Sequence, residues 1–170
     1  MGLLKGLPPL LTADLLHILR SMGHGDVLCV ADANFPAAEV ATKTTTGKCI
    51  VVTCDLPELL DAICTVLPLD FFTDHPARSM APAQGHVMPP EGSQALLEMQ
   101  RVISKHCPEA KLTPVGRFEF YEQARRSFAV VRFCIFLPLL VLLACVFSGF
   151  QQPSCCRSTR WSGGPTQMYC

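Results

Sequence analysis

The sequence predicts an α/β fold with a largely parallel sheet. Three observations carry this reading. Short apolar runs rich in Val and Ile recur along the chain, segments with apolar residues at helical spacing separate them, and the two kinds alternate through the first 131 residues. At 170 residues the chain is long enough for one such domain, and for two only if both are small.

The elements follow in order. Thr12 can cap a helix in which Leu15, Leu16, Leu19 and Met22 recur at helical spacing, with Gly23 as the stop. Asp26–Asp32 (DVLCVAD) reads as a buried strand. Lys48–Thr53 (KCIVVT) is a second, β-branched strand. Pro57 opens a helix with Leu59, Leu60, Ile63 and Leu67 on one face, and Pro68 closes it. Between Asp70 and Gly92, the residues Pro76, Pro82, Gly85, Pro89 and Pro90 break all periodicity. This stretch reads as a long irregular loop, either a lid over a site or a solvated connector. Ser93 is the expected cap of a third helix, with Leu96, Met99 and Ile103 inward and Pro108 beyond its end. Phe118–Arg126 is a fourth helix and Ser127–Phe133 (SFAVVRF) a further strand. No internal repeat is present.

Composition narrows the function classes. Lys and Arg number 14 and Asp and Glu number 14, so no basic excess exists to hold a phosphate backbone, and nucleic acid is not an expected partner. Charged residues make up 16% against about 25% in ordinary soluble domains, which points to a membrane segment or an unusual tail. All 14 acidic residues lie at or before Glu122, whereas Arg132, Arg157 and Arg160 stand beyond residue 131. Of the ten cysteines, Cys134, Cys145, Cys155, Cys156 and Cys170 crowd the end of the chain. Both shifts place a boundary near residue 132. The N-terminal apolar run is broken by Lys5, Pro8, Pro9 and Asp14 and has no export-signal pattern. Gly6 stands where N-myristoylation wants Ser or Thr, and Gln167 stands where prenylation wants Cys. The expectation is a cytoplasmic chain with reduced thiols. No Cys-x-x-Cys pair occurs and no His stands near Cys155-Cys156, so the spacing does not make a zinc site.

One stretch carries chemistry. In Met22-Gly23-His24-Gly25-Asp26 a histidine lies between two glycines where a helix gives way to a strand. The glycines leave the imidazole uncrowded and let a ligand approach the backbone. Asp32 follows at the carboxyl end of that strand, where ligands of α/β sheets gather. A lone His or Asp can equally be structural.

With Lys5-Gly6, Leu10-Leu11, Met22–Asp26, Ala31-Asp32-Ala33-Asn34-Phe35-Pro36, Leu67-Pro68-Leu69-Asp70 and Arg117-Phe118-Glu119-Phe120-Tyr121-Glu122, the chain resembles the L-fucose mutarotase family. That family includes the D-ribose pyranase relatives. The resemblance is closest to animal members and covers roughly residues 3–131. It implies a three-layer α/β sandwich with a largely parallel central sheet. It implies an isomerase, without cofactor or metal, that interconverts the α and β anomers of a monosaccharide such as L-fucose. It further implies His24 as the acid/base residue, Asp32, Asp70, Met80 and Tyr121 as sugar-binding positions, and a homo-oligomer with sites shared between neighbours.

The chemistry suits these residue types. Mutarotation opens the hemiacetal to an aldehyde, turns the C1–C2 bond and closes the ring on the other face. A group that titrates near neutrality can move both protons, and His is that group. Carboxylates such as Asp32 and Asp70 can accept hydrogen bonds from sugar hydroxyls. Tyr121 offers a ring face and an OH, although in Phe118-x-Phe120-Tyr121 it can also be a core aromatic. Met80, placed in the irregular loop, favours the lid reading and could line the site near the sugar's methyl group.

The chain departs from the resemblance after Ala129-Val130-Val131. There the family continues through a Thr-Gly-Glu turn into a last strand whose aromatic-Gly-Asn motif also binds sugar. Here Arg132-Phe133-Cys134 follows, and the only Asn of the chain is Asn34. The expectation is therefore an isoform with an alternative C-terminal end, a sheet lacking the family's last strand, and impaired activity. Phe133–Phe150 is 18 residues without charge, at the lower limit of a membrane span. It reads either as a C-terminal membrane anchor or, over Phe133–Val141, as a substitute strand or poorly ordered chain. Residues 151–170 are expected to be disordered. Two alternatives to the enzyme stay open: a non-catalytic fucose-binding isoform, and a membrane-anchored protein that keeps only the fold.

Overall fold

The computed structural model describes residues 4–70, 72–82, 85–134 and 144–148. Helix α1 (Ala13–Ser21) starts at Thr12, whose Oγ1 accepts a hydrogen bond from the Leu15 N–H at 3.3 Å. It buries Leu15, Ile18 and Leu19. Strand β1 (Val27–Ala31) follows, then the short helix α2 (Ala37–Ala41) and strand β2 (Cys49–Val52). Helix α3 (Leu56–Val66) carries Pro57 in its first turn, where the missing N–H costs nothing. Strand β3 (Ala77–Met80), helix α4 (Pro90–His106), strand β4 (Leu112–Val115), helix α5 (Arg117–Arg125) and strand β5 (Ala129–Phe133) complete the main body. Strand β6 (Ala144–Ser148) comes from the divergent tail.

The six strands form one sheet in the order β2-β5-β1-β6-β3-β4. The pairs β1–β5, β2–β5 and β3–β4 are parallel, and β6 runs antiparallel to both β1 and β3. Alternation along the strands sends side chains to two cores. Leu28, Val30, Ala129, Val131, Phe133 and Phe147 face α1, α3 and α4. Cys29, Ala31 and Val130 face α2 and α5, with Phe35, Met80 and Phe120. The result is the expected three-layer α/β sandwich with a largely parallel sheet.

Several expectations need correction. The sheet does not end a strand short, because Ala144–Ser148 fills the place between β1 and β3. Val27 pairs with Ser148 and Ala31 with Ala144 on one side, and Ala77 pairs with Phe147 on the other. The apolar run 133–150 is therefore not one membrane-spanning helix: Phe133 ends β5 and residues 144–148 are a strand. No helix among the described residues is long and apolar enough to cross a membrane. The substitute strand lies further along than Phe133–Val141, of which residues 135–141 are outside the described residues. The expected disorder of residues 151–170 also falls outside them. The compositional boundary near residue 132 falls inside β5.

The irregular loop from Asp70 to Gly92 contains β3. Its sequence, Ala-Arg-Ser-Met, has little strand propensity, and pairing with β4 and β6 decides its conformation. Met80 accordingly sits buried in a strand and not on a lid. Helix α4 starts at Pro90 after a Pro89 cap, so Ser93 lies inside the first turn. The fixed φ of Pro90 sets the helical start before any side-chain cap is needed. Strand β4 holds Pro114, which an edge strand tolerates.

Helices α3 and α4 are stapled at the surface. Asp61 Oδ1 receives Lys105 Nζ at 2.7 Å and lies 2.7 Å from His106 Nε2. Hydrogen bonding to Lys105, then to His106, holds the Asp61 carboxyl below its ordinary value. A lowered folded value stabilises the fold above the unfolded value and is lost as pH falls through both. Asp61→Asn is therefore expected to lower the urea midpoint slightly at pH 7. It should also flatten the wild-type loss below about pH 4, measured as midpoint against pH.

Candidate functional site

The His24 turn is built from its own neighbours. The Gly23 N–H donates to Asp26 Oδ2 at 2.7 Å, and the Asp26 N–H donates to the Gly23 carbonyl at 3.2 Å. Gly25 has φ +82°, in the left-handed region that favours glycine. This tight bend lifts His24 outward, with its side chain 58% exposed.

His24 Nδ1 lies 3.2 Å from Asp70 Oδ2. The Asp70 side chain is only 4% exposed. Its Oδ1 accepts from the Phe72 N–H at 2.9 Å, and its own N–H donates to the Ser148 carbonyl at 3.0 Å. The Phe72 ring stands edge-on to the imidazole at 5.7 Å and 88°. The tail's strand β6 thus anchors the segment that faces His24.

The remaining expected site residues gather elsewhere. Asp32 is buried directly after β1. Its Oδ1 accepts from the N–H groups of Asn34 (3.0 Å) and Phe35 (3.1 Å), and its Oδ2 from Asn34 Nδ2 (3.2 Å). This is an Asx-type turn, in which the side chain shapes the loop. The loop presents Phe35 to Tyr121 at 5.1 Å between ring centroids. Met80, ending β3, belongs to the same core as Phe35 and Tyr121. The Arg117 guanidinium lies 5.9 Å over the Tyr121 ring. Beside it, Arg117, Phe118, Tyr121, Glu122 and Arg125 line an open cavity of about 230 Å³. That is below the roughly 300–1,000 Å³ of drug-sized sites.

The two groups stand at opposite ends of the sheet's strands. His24 and Asp70 lie where β1 begins and β6 ends, since Val27 pairs with Ser148. Asp32, Met80 and Tyr121 lie towards the other end, where β1 and β3 finish. The five residues of β1 separate them, a length of about 15 Å. Within one chain, then, His24 meets Asp70 but not Asp32 or Tyr121.

Sequence reading missed Phe72, Arg117 and the Ser148 carbonyl. Arg117 was accessible, because it precedes Tyr121 by four residues on one helix face. Phe72 and Ser148 carry no local signal; only the fold brings them to His24 and Asp70.

Other chemistry finds no support in these groups. Burial, the largest cause, raises the thiols of Cys29, Cys54 (to about 11) and Cys64 (to about 12), so none of the three is an activated nucleophile. Among the described residues no cluster of three or more His, Cys, Asp or Glu is placed to hold a metal ion.

Comparison with known proteins agrees with this architecture. The profile of the RbsD / FucU transport protein family matches residues 5–133. A fucose mutarotase of Danio rerio is 37% identical over 136 residues, covering 77% of this chain and 84% of the relative. A fucose mutarotase of Homo sapiens is 35% identical over 141 residues, with the same shares of 77% and 84%. The fucose mutarotase of Streptococcus pneumoniae, solved in complex with L-fucose, superposes with a TM-score of 0.70 at 28% identity. That superposition covers 88% of this chain and all of the other (100%). With its fold, the family profile and these relatives in agreement, the chain belongs to the RbsD / FucU transport protein family.

Proposed function

We propose that this protein is a mutarotase that interconverts the α and β anomers of L-fucose. The observation that carries the reading is the His24–Asp70 pair: an exposed imidazole whose inner nitrogen is held by a buried carboxylate. Its relatives of 35–37% identity bear the name fucose mutarotase, which supports the choice of sugar.

In this reading the outer nitrogen, Nε2, takes the proton from the anomeric hydroxyl, and the imidazolium so formed gives it to the ring oxygen. The C1–O bond to the ring oxygen breaks, leaving an aldehyde. Rotation about C1–C2 and closure on the other face reverse the proton movements. The imidazole serves both directions because one ring nitrogen can accept a proton and give it back.

The geometry favours a site shared between copies of the chain. His24 and Asp70 of one copy would face Tyr121 and Met80 of the next, with Asp32 shaping the loop behind them. Exposed aromatic surface supports this assembly: Phe72 stands beside His24, and Phe118 lines the Tyr121 cavity. The activity is assigned to residues 1–131 together with β6, and to the cytoplasm. Cys29, Cys49, Cys54, Cys64, Cys107 and Cys134 are free thiols, which fits a reducing compartment.

Anomer-exchange NMR on L-fucose tests the reading. His24→Ala is expected to lose the acid/base contribution of about 10²–10⁴ in rate while keeping its fold by circular dichroism. Wild-type exchange no faster than in buffer, with fucose-dependent shifts still present, would identify a binding protein instead.

A further inference from the structure

We propose that Phe72 selects sugars whose sixth carbon is a methyl group, its ring taking that methyl beside the imidazole. This deepens the mutarotase reading and rests on it. Phe72 is 70% exposed, and its ring stands 5.7 Å from the His24 ring and perpendicular to it. The backbone fixes its place. The Phe72 N–H donates to Asp70 Oδ1 at 2.9 Å, and the Asp70 N–H donates to the Ser148 carbonyl at 3.0 Å. An apolar ring is thus held open to solvent within contact range of any molecule that the imidazole reaches.

The reaction says which part of the sugar lies there. The proton moves between the anomeric oxygen and the ring oxygen, so the imidazole works across the bond from C1 to the ring oxygen. Two groups flank that bond: the hydroxyl on C2 at one side, and C5 with its C6 substituent at the other. A phenyl ring offers a hydroxyl no hydrogen bond and strips it of water, whereas covering a methyl is favourable. The ring therefore belongs on the C6 side. In L-fucose C6 is a methyl; in L-galactose, of the same stereochemistry, it carries a hydroxyl. A hydrophobic surface rejects an added hydroxyl by about 10²-fold at most, and a one-sided contact such as this by about tenfold.

Anomer-exchange NMR on the two sugars tests the proposal. Wild-type kcat/KM should be about tenfold higher for L-fucose than for L-galactose. Phe72→Ala should lower kcat/KM about tenfold for L-fucose and less than about threefold for L-galactose, bringing the ratio near one. Phe72→Leu, apolar without the ring, should keep most of the preference. A wild type indifferent to the two sugars, or a preference unchanged in Phe72→Ala, would overturn the proposal. So would an equal loss for both sugars with a changed copy number by native mass spectrometry, which would make Phe72 an interface residue. A second readout needs no variant: in wild type protonated only at its phenylalanine rings, magnetisation transfer to bound L-fucose should be strongest at the C6 methyl. Strongest transfer to the protons on C1 or C2 would place the ring on the wrong side. The mutarotase reading fails separately, through wild-type exchange no faster than in buffer for either sugar.

Discussion

A chain ending at Cys134 is expected to lose cooperative folding altogether. In the strand order, β6 is the one link between the trio β2-β5-β1 and the pair β3-β4. Removing it breaks the ladders to β1 and β3 and strands their polar groups inside the sandwich. It also removes Phe147, which is 1% exposed in the core under α1, α3 and α4. Loss of one such ring costs about 3–5 kcal/mol, against a total stability of about 5–15 kcal/mol for a domain. The lost backbone pairing adds to that. Urea denaturation followed by far-UV circular dichroism checks this, and an unchanged midpoint in the shortened chain would refute it. Phe147→Ala in the full chain isolates the packing share, with a loss of about 3–5 kcal/mol expected from the same titration.

Mixing two inactive variants should restore exchange. His24→Ala removes the acid/base group at one end of the strands, and Tyr121→Phe removes the hydroxyl at the other. If each site takes His24 from one copy and Tyr121 from its neighbour, random pairing in an equal mixture leaves about a quarter of the sites intact. Anomer-exchange NMR after co-refolding then reads activity that neither variant has alone. A mixture no more active than the two variants apart, with co-assembly demonstrated by native mass spectrometry, would place each site within a single chain.

The sequence specified the elements whose stabilising contacts are local or periodic. Thr12 announces α1, Pro57 announces α3, and the β-branched runs announce β1, β2 and β5, because caps, fixed φ and apolar period act within a few residues. The Gly23-His24-Gly25 bend was legible for the same reason: its hydrogen bonds and its positive φ lie within the turn. Strands β3 and β4, with Arg78 and Pro114 inside them, are strands only because neighbours pair with them.

The tail shows the limit most clearly. An uncharged run reads as a membrane segment when only its composition is weighed, yet Ala144–Ser148 enters the centre of the sheet. A strand flanked on both sides and packed in a core needs the same apolar residues that a bilayer would accept. Likewise, nothing near His24 in the sequence names Asp70 as its partner or puts Tyr121 at the far end of the strands. Those relations are set by strand order and register, which depend on contacts between residues far apart along the chain.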